Sequence, residues 1–430
     1  MTAPISAAAA WSPLHLADLE LSAPLRLRPC DEPERHEHSR ALVRLHGRPV
    51  GTVEAPVHTS PADMARAVWA ALADDIRDHL RADGLAVIDH LDERGIPSDV
   101  VPACVAARRQ ALADPPSVTV LVATRDRPRE LAACLDSLLA QDYPGPLDVV
   151  VVDSAPSSDE TEEYVRGRFP GGEPVRYVRA RRPGLAVAHN AGLAEVTGEI
   201  TAVTDDDVVV DGQWVSAIAE AFRQVPGTAC VTGLILPFEL ETPEQDLLEQ
   251  YGGFSRGFRR RVYSLDDPGE DPLFPYTAGR LGSGANMAFD TAVLRSMGGF
   301  DPALGAGTPA RGGDDLAAFV TVLLAGHRLT YEPSAVLRHR HRRDYAGLRA
   351  MAKGYGVGLG AYLTSIVVAR PGLLLDMASR APRAVSYLLA ADSPKNRGKG
   401  VDYPRELTRV ERLGMLRGPA AYLASRRGSA

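Results

Sequence analysis

The sequence predicts an α/β fold in which helices flank a mostly parallel sheet. Between residues 117 and 205, short apolar runs rich in β-branched residues alternate with amphipathic helical patterns. This alternation is typical of parallel strands joined by crossover helices. A hairpin and a helix pattern come before this region, and mainly helical patterns follow it. We therefore expect a small N-terminal α+β accessory region at 1–116, an α/β domain at 117–343 and a helical, basic C-terminal extension at 344–430.

The accessory region begins with a hairpin pattern over residues 41–54, where two alternating segments flank a turn at His46-Gly47. A helix follows, because Ser60 is a favourable N-cap and Pro61 suits the first helical position. The residues that would share the apolar face of this helix are Met64, Val68, Ala71, Leu72, Ile76 and Leu80.

The α/β domain begins abruptly after the turn signal Asp114-Pro115-Pro116. Its first strand is the continuous apolar run Val118-Thr-Val-Leu-Val-Ala, as expected for a buried parallel strand. The elements predicted after it are a helix at 129–140, a strand at 147–153, a helix at 161–168, a strand at 175–178, a helix at 185–196 and a strand at 200–205.

Length and composition indicate a folded chain with more than one part. The 430 residues exceed the size that a single core usually reaches, and the 45% hydrophobic and 24% charged residues are ordinary for a globular protein. The four cysteines are widely scattered and form no C-x-x-C pair. We expect neither a disulfide framework nor a zinc site, which fits a reducing cytoplasm.

Neither end of the chain predicts a membrane span. The apolar run Ala7–Ala10 is too short for a signal peptide and has no basic segment before it. The C-terminal run from Leu359 to Ala369 ends at Arg370 and falls short of the roughly 20 residues that a spanning helix needs. We expect a cytoplasmic protein whose membrane contact, if present, is peripheral at the inner face.

The charge of the chain is unevenly distributed. From Arg338 to the end, 18 Lys and Arg face 6 Asp and Glu, a net charge of +12, which leaves −19 on the other residues. Such a tail can serve anionic partners, such as a phosphorylated lipid or a membrane surface. The alternative is a solvated, Arg-rich helical tail with no partner. We expect no nucleic-acid partner.

Acidic and basic residues follow the predicted strands, and the carboxyl ends of parallel strands meet at one edge. The strongest signal is Asp205-Asp206-Asp207, because three adjacent carboxylates repel one another unless a cation neutralises them. Oxygen ligands of this kind suit Mg²⁺ or Mn²⁺. The alternative is an acidic surface turn. No G-x-G-x-x-G follows the first strand, so a dinucleotide-binding fold is not expected.

An ordered series of motifs identifies a resemblance. From Ser117 to about Arg343 the chain resembles glycosyltransferase family 2, whose members have a GT-A fold. One motif alone would be weak, but the series in this order is specific. The motifs are Val-Leu-Val-Ala-Thr-Arg-Asp-Arg-Pro, Leu-Asp-Ser-Leu-Leu-Ala-Gln, Val-Val-Val-Asp-Ser, Gly-Leu-Ala-Val-Ala-His-Asn-Ala-Gly, Thr-Asp-Asp-Asp, Gly-Ala-Asn-Met-Ala-Phe, Gly-Gly-Phe-Asp and Gly-Gly-Asp-Asp-Leu.

The resemblance implies roles for residues at the strand ends. Asp153 would recognise the base of the donor nucleotide, and Thr124 and Arg125 would form part of the nucleotide pocket. Asp205 and Asp207 would be the D-x-D pair, the first facing the ribose or the metal and the second binding the metal directly. Two further residues belong to this nucleotide-binding set: Asp206, between the pair, and Asn190, near the diphosphate.

The sequence departs from the family pattern at two of these places. Ser154-Ala155-Pro156 follows the second-strand acid where Asn or Gly-Ser is frequent, and His189 stands where Arg is frequent. A histidine cannot be assumed to be cationic. The contacts to the diphosphate are therefore less well defined by the resemblance than the metal site.

Gly312-Gly313-Asp314-Asp315 resembles the family's E-D motif, with Asp in place of Glu. A sugar hydroxyl becomes a good nucleophile when a base takes its proton. The resemblance implies that Asp315 is this base and that Asp314 supports it. The alternative is that the two acids cap a helix, since Asp is common at helix N-termini.

Three further residues are considered on the same basis. His339, after a short strand at 335–337, would be a metal ligand by resemblance, or part of a basic diphosphate patch or a solvated loop. Asn286 would bind a sugar hydroxyl or satisfy a turn. Trp214 is predicted to lie in the core and not to form a sugar-binding platform.

Together these features predict a metal-dependent, inverting glycosyltransferase of the hexosyltransferase type. Its cofactor would be Mn²⁺ or Mg²⁺ and its donor a UDP-, GDP- or dTDP-sugar. The acceptor is not identified, and lipid-linked molecules and glycans are both candidates. Two other classes stay open: a nucleotidyltransferase on a related sheet, and a non-catalytic sugar- or nucleotide-binding protein.

Overall fold

The computed structural model describes residues 11–30, 36–250, 253–390, 392–393, 395–396, 399 and 403–429. The run Ala7–Ala10, on which the expectation of no signal peptide depends, lies outside these residues. Two sheets and a set of C-terminal helices make up the described part. The boundaries predicted near residues 116 and 343 fall between the last N-terminal helix and the central sheet, and between that sheet and the C-terminal helices.

The N-terminal region is a small four-stranded sheet covered by one long helix. The predicted hairpin is confirmed, and its turn residues His46 and Gly47 have φ of 55° and 75°. Positive φ at both positions is typical of a two-residue hairpin turn. The strands, in the spatial order β2-β1-β3-β4, are β1 (Leu14–Glu20), β2 (Arg28–Pro29), β3 (His38–Leu45) and β4 (Arg48–Pro56).

The predicted helix of this region is confirmed as α1 (Pro61–Ala82), and a short helix α2 (Ala103–Ala111) follows it. The side chain of Ser60 accepts a hydrogen bond from the backbone N–H of Asp63, as an N-cap should. The apolar face of α1 packs on the small sheet. Its side chains lie in one buried cluster with apolar residues of β1, β3 and β4. Each buried large side chain contributes roughly 1.5–3 kcal/mol.

The central sheet has nine strands in the order β11-β13-β10-β12-β8-β5-β6-β7, and β9 also pairs with β13. Strands β8, β5, β6 and β7 are parallel, as are β10 and β13, whereas β12, β9 and β11 run antiparallel to their neighbours. The predicted mostly parallel α/β sheet is therefore confirmed. Its strands are β5 (Val118–Thr124), β6 (Leu147–Ser154), β7 (Val175–Ala180), β8 (Ile200–Asp205), β9 (Val208–Val210), β10 (Thr228–Pro237), β11 (Arg261–Tyr263), β12 (Asn286–Asp290) and β13 (Arg328–His339).

Helices cover both faces of this sheet. Leu131 and Trp214 lie in one buried cluster, and Leu193 and Phe319 lie in the other. Trp214 is fully buried, which confirms its predicted place in the core. The helices are α3 (Pro128–Leu139), α4 (Glu160–Arg168), α5 (Leu185–Glu195), α6 (Trp214–Gln224), α7 (Pro243–Gln250), α8 (Thr291–Ser296) and α9 (Asp314–Leu324).

The C-terminal region is helical, as predicted. It consists of α10 (Tyr345–Ala369), α11 (Leu374–Leu389) and α12 (Arg405–Ser429), and α10 packs along α12. None of the described helices alone combines the length and the hydropathy that a membrane-spanning helix needs. By length and composition, Tyr345–Ala369 with Pro371–Leu389 would pass only as a pair, and the pair is bent by 115°.

Candidate active and metal site

The functional side chains lie where the central parallel strands end. Strand β5 lies between β6 and β8, and its register places Thr124 opposite Asp153 and Ala123 opposite Asp205. The three strand ends therefore meet at one edge of the sheet. This is the arrangement that strand–helix alternation predicts.

The structure brings together three of the residues predicted to bind metal. One ligand atom from each of Asp205, Asp207 and His339 lies within 4.8 Å of the others, and His339 Nε2 is 3.4 Å from Asp207 Oδ1. The cause is the pairing of β9 with β13, which sets His339 opposite Val208, the residue after the acid triplet. Two carboxylates and one imidazole converge from separate parts of the chain.

The electrostatics of this group fit a divalent cation. Burial and the neighbouring Asp207 raise the pKa of Asp205 well above its usual range. Burial lowers the pKa of His339 to about 4, so its imidazole is neutral at pH 7 and has a lone pair to offer. A bound cation would remove the repulsion between the carboxylates, and this donor set suits Mn²⁺ or Mg²⁺.

Asp206 is not part of this group. Its Oδ2 accepts a hydrogen bond from Thr124 Oγ1 at 2.7 Å, and its Oδ1 lies 3.2 Å from Arg127 Nη1. Burial raises the pKa of Asp206. Thr124 and Asp206 therefore hold each other at the edge of the metal group. Neither is among the residues that line the neighbouring cleft.

Arg127 is a site residue to which the sequence analysis assigned no role. Its Nη1 contacts Asp206 and also lies 3.4 Å from Asp207 Oδ2, and it lines the cleft. The signal in the sequence was a second cation in the Thr-Arg-Asp-Arg-Pro motif. Arg125, which was predicted to form part of the nucleotide pocket, has a half-exposed side chain 3.6 Å from Asp126. It does not line the cleft.

Asp153 is fully buried where β6 ends. Its Oδ2 accepts a hydrogen bond from the hydroxyl of Tyr177 at 3.1 Å, whereas Oδ1 has no hydrogen-bond partner in the described part of the chain. Burial raises the pKa of this carboxyl. A buried acceptor without a partner is costly. Like Arg125 and Asn190, Asp153 does not line the cleft.

The two acids of the Gly-Gly-Asp-Asp motif open α9 beside the metal group. The N-cap is Gly313, with φ of 86°, and no side chain caps the helix. Asp315 Oδ2 accepts a hydrogen bond from the backbone N–H of Gly284 at 2.9 Å. Asp314 is more deeply buried, and burial raises its pKa to about 7. Simple N-capping therefore does not account for either acid.

The structure gives two predicted polar residues other contacts. Asn190 donates to the carbonyl of Phe300 and accepts from its N–H, and it does not line the cleft, which gives no support for a diphosphate contact. Asn286 accepts from the indole of Trp214 and donates to two backbone carbonyls. Its side chain is therefore already occupied, which favours the structural role over a sugar contact.

His189, the departure from the family pattern, is buried, and burial lowers its pKa to about 4. It is therefore neutral at pH 7 and does not supply the positive charge of the Arg that is frequent at this position in the family. Its Nδ1 lies 3.9 Å from Asp314 Oδ2.

A cleft of about 1400 Å³ lies beside both the metal group and the two acids that open α9. One end is lined by Arg127, Asp205, His339, Asp314 and Asp315. The C-terminal helices form much of the remaining wall and make it largely apolar. Their apolar lining residues include Leu359, Leu363, Met377, Leu388 and Met415.

Comparison with known proteins adds family evidence to this geometry. Residues 119–281 match the model of glycosyl transferase family 2. The pre-mycofactocin glycosyltransferase of Mycobacterium tuberculosis is 27% identical over 242 residues, which cover 55% of this chain and 46% of that protein. The glucosyl-dolichyl phosphate glucuronosyltransferase of Haloferax volcanii is 23% identical over 256 residues, or 56% of this chain and 75% of that protein. The chain thus spans less than half of the first of these relatives.

Solved structures show a weaker likeness. The mannosyltransferase PcManGT of Pyrobaculum calidifontis, solved with GDP-Man and Mn²⁺, is 22% identical with a TM-score of 0.44; the match covers 77% of this chain and 89% of that one. Glucosyl-3-phosphoglycerate synthase of Mycobacterium tuberculosis has a TM-score of 0.41 at 17% identity, over 61% and 80% of the two chains. These scores are too low to assign a ligand. The match over residues 119–281 shows that the chain carries a glycosyltransferase family 2 domain.

Proposed function

We propose that this protein transfers a sugar from a nucleotide-diphosphate sugar to an acceptor hydroxyl, with a divalent cation and with inversion at the anomeric carbon. The observation that carries the proposal is the convergence of Asp205, Asp207 and His339, because two members of this group, Asp205 and His339, line the same cleft as Asp315. A cation site and a base facing one cavity are what a single displacement requires. Inversion rests on the resemblance to the family.

Asp205, Asp207 and His339 are the residues that would hold the cation. When bound, Mn²⁺ or Mg²⁺ neutralises the charge that develops on the leaving nucleoside diphosphate. The neutral imidazole of His339 makes Mn²⁺ a good match, and the carboxylates suit both ions. Arg127, beside Asp207, adds a fixed positive charge on the same side of the cleft.

Asp315 is the proposed base. Hydrogen bonds from the N–H groups of Gly284 and Leu316 stabilise its charged form and fix its carboxylate at the cleft. A carboxylate held in this way can take the proton of the acceptor hydroxyl as that oxygen attacks the anomeric carbon. Asp314 supports this residue from a more buried position.

Asp153 is the proposed reader of the nucleotide base. Its unpartnered Oδ1 can accept a hydrogen bond from an N–H of the base. Uracil, thymine and guanine all offer such a donor, so UDP-, dTDP- and GDP-sugars stay candidates.

The apolar walls of the cleft favour an acceptor with an apolar part. The name of the Haloferax volcanii relative, a glucosyl-dolichyl phosphate glucuronosyltransferase, describes a lipid phosphate substrate. We therefore favour a lipid-linked acceptor over a free glycan. A nucleotidyltransferase is less well supported, since its triphosphate would call for a Gly-rich, Lys-bearing loop after β5, and the residues there are Thr124-Arg-Asp-Arg-Pro.

A thermal-shift panel of UDP-, GDP- and dTDP-sugars, with Mn²⁺ or with a chelator, tests this proposal. A ligand at 100 times its Kd stabilises the native state by about 2.7 kcal/mol. We expect one nucleotide class to stabilise the wild type only when Mn²⁺ is present. Asp207→Ala should lose this stabilisation, whereas Asp114→Ala, at a fully exposed acid, should keep it. Equal stabilisation of folded Asp207→Ala would contradict the proposed metal site.

A further inference from the structure

A second cluster of potential metal ligands lies in the N-terminal region, and none of its residues lines the cleft. It consists of His46 in the β3–β4 turn, His79 and Asp83 at the end of α1, and Cys104 in the first turn of α2. One ligand atom from each residue lies within 4.8 Å of all the others. The proposed sugar transfer uses none of these four residues.

The distances within this cluster are those of a compact shell. Asp83 Oδ2 is 2.7 Å from His46 Nδ1, 3.1 Å from His79 Nε2 and 3.1 Å from Cys104 Sγ. The two imidazole nitrogens are 3.2 Å apart, and His79 Nε2 is 4.0 Å from Cys104 Sγ. Zn–N bonds of ~2.0 Å and one Zn–S bond of ~2.3 Å imply tetrahedral edges of about 3.3–3.6 Å, so small movements would fit one ion.

Hydrogen bonding alone explains this arrangement less well. Three groups approach one oxygen of Asp83, and two of them are imidazole nitrogens that also face each other at 3.2 Å. As donors to that oxygen, both rings would direct N–H groups into the same small volume. A cation removes those protons and uses the lone pairs of all four atoms.

Burial and charge also suit a closed site. The side chains of His46 and Asp83 are 3% exposed and that of His79 is 15% exposed. With two neutral imidazoles, a thiolate and a carboxylate, a divalent ion gives a net charge of zero. The neighbouring cation, Arg48, is already paired with Glu220. His46 occupies a position of a two-residue hairpin turn that is usually Asn, Asp or Gly.

We propose that His46, His79, Asp83 and Cys104 bind one structural Zn²⁺. Four protein ligands leave no open position, which is typical of structural zinc and not of catalytic zinc. The ion would tie the hairpin turn to the ends of α1 and α2. It would also close the segment 84–102, which contains no helix or strand. The scattered cysteines alone predict no such site, because the other three ligands are His and Asp.

Elemental analysis of the purified full chain tests this proposal directly. We expect about one tightly held Zn²⁺ per chain in the wild type. Cys104→Ser and His79→Asn should lose most of it, whereas Cys30→Ser and His58→Asn, at exposed positions, should keep it. Asp207→Ala should also retain its zinc, which separates this site from the one in the cleft. A wild type without zinc after growth in zinc-supplemented medium would overturn the proposal.

Cobalt provides a readout that does not depend on the folding of a variant. Co²⁺ loaded into the chelator-treated wild type should give a thiolate-to-cobalt charge-transfer band, because Cys104 is the one thiol in the cluster. Zn²⁺ should displace it and remove the band. The band should persist in Asp207→Ala and be absent in Cys104→Ser. No band in the Co²⁺-loaded wild type, or an equal band in Cys104→Ser, would contradict the proposed ligand set.

Discussion

Two adjacent carboxylates open α9, and their surroundings differ. Asp315 faces the cleft and accepts hydrogen bonds from two backbone N–H groups. Asp314 is buried near the neutral ring of His189, and its pKa is raised to about 7 by burial. Burial raises the pKa of Asp315 as well, while the two backbone N–H groups favour its charged form. Asp315 is the better placed of the two acids for the role of base, because its carboxylate is fixed at the cleft by these hydrogen bonds.

We expect Asp315→Asn to lower sugar transfer by roughly 10²–10⁴-fold, because an amide cannot accept the proton of the acceptor. The amide oxygen can still accept from Gly284, so the fold and the Mn²⁺-dependent donor binding should persist. Asp314→Asn should be the milder change. Initial rates of transfer, with donor binding and unfolding measured on the same samples, would check this. An inactive Asp314→Asn beside an active Asp315→Asn would reverse the two roles.

The sequence could predict individual site residues where a motif and a strand end coincide. Asp205 and Asp207 come from such a place, whereas Asp315 comes from a motif at a helix start and His339 from the end of β13. Their roles in catalysis and metal binding stay predictions. The partners of these residues were harder to predict. Arg127 contacts Asp207 only because the turn after β5 faces the turn after β8, and Asn190 is engaged by Phe300, which is 110 residues further along the chain. Contacts of this range leave no local pattern in the sequence.

At the scale of elements, helices and strands were predicted correctly where apolar residues repeat with a regular period. The hairpin at 41–54, α1 and the alternating elements from β5 to β8 are confirmed within a few residues. Strand β13 is longer than the predicted 335–337 and runs over Arg328–His339. Glu332 and Pro333 interrupt its apolar pattern, but a bulge opposite Gly233-Leu234 lets the pairing with β10 continue. A bulge depends on the partner strand, so one segment alone cannot reveal it.

The packing of α10 against α12 depends on small residues that allow close approach. A Cβ added at Gly360 would lie 2.2 Å from the carbonyl oxygen of Met415, and one at Gly418 would lie 2.5 Å from the backbone N of Ala361. Backbone atoms cannot move aside cheaply. These helices also form the apolar wall of the cleft, so their spacing affects its shape.

We expect Gly360→Ala to destabilise the protein by roughly 1–3 kcal/mol, the usual cost of overpacking. The matched control is Gly354→Ala in the same helix, where the added Cβ would meet nothing closer than 3.9 Å. The control should be neutral or stabilising by up to about 1 kcal/mol, because Ala favours helix more than Gly does. Denaturant titration of both variants gives the comparison. Equal stabilities would argue against close packing of α10 on α12.

At the scale of the whole molecule, the N-terminal sheet is fixed to the central sheet by buried charge. Glu220 of α6 is 1% exposed and receives hydrogen bonds from Arg48 of β4 and Arg108 of α2. Removing one partner of a buried ion pair leaves an uncompensated charge, so loss of Arg48 or Arg108 should destabilise the protein. The sequence predicted both regions but not this contact, since nothing local links residues 48, 108 and 220.

The basic C-terminal region presents apolar side chains to solvent. On α11, Leu375 is 82% exposed and Leu374 is 54% exposed, and the same helix carries Arg380 and Arg383. An amphipathic helix with cations near its apolar residues suits an anionic lipid surface. A membrane contact would also bring the apolar end of the cleft close to a lipid-linked acceptor.

We therefore expect the protein to sediment with anionic vesicles at low salt and to be released at high salt, since each surface cation is worth about 1 kcal/mol there. Leu375→Glu should weaken this binding. Val100→Glu makes the same change in charge at an exposed apolar residue of the N-terminal region and should have no effect. Equal recovery with neutral and anionic vesicles would exclude this contact and leave a solvated tail.

The most direct test of the central claim is release of nucleoside diphosphate from the donor that the binding panel selects. The wild type should release it with Mn²⁺ and stop when the ion is chelated. Release should collapse in Asp207→Ala and in Asp315→Asn, and it should persist in Asp114→Ala. Release that survives chelation, or that continues undiminished in a folded Asp207→Ala protein, would contradict metal-assisted sugar transfer at this site.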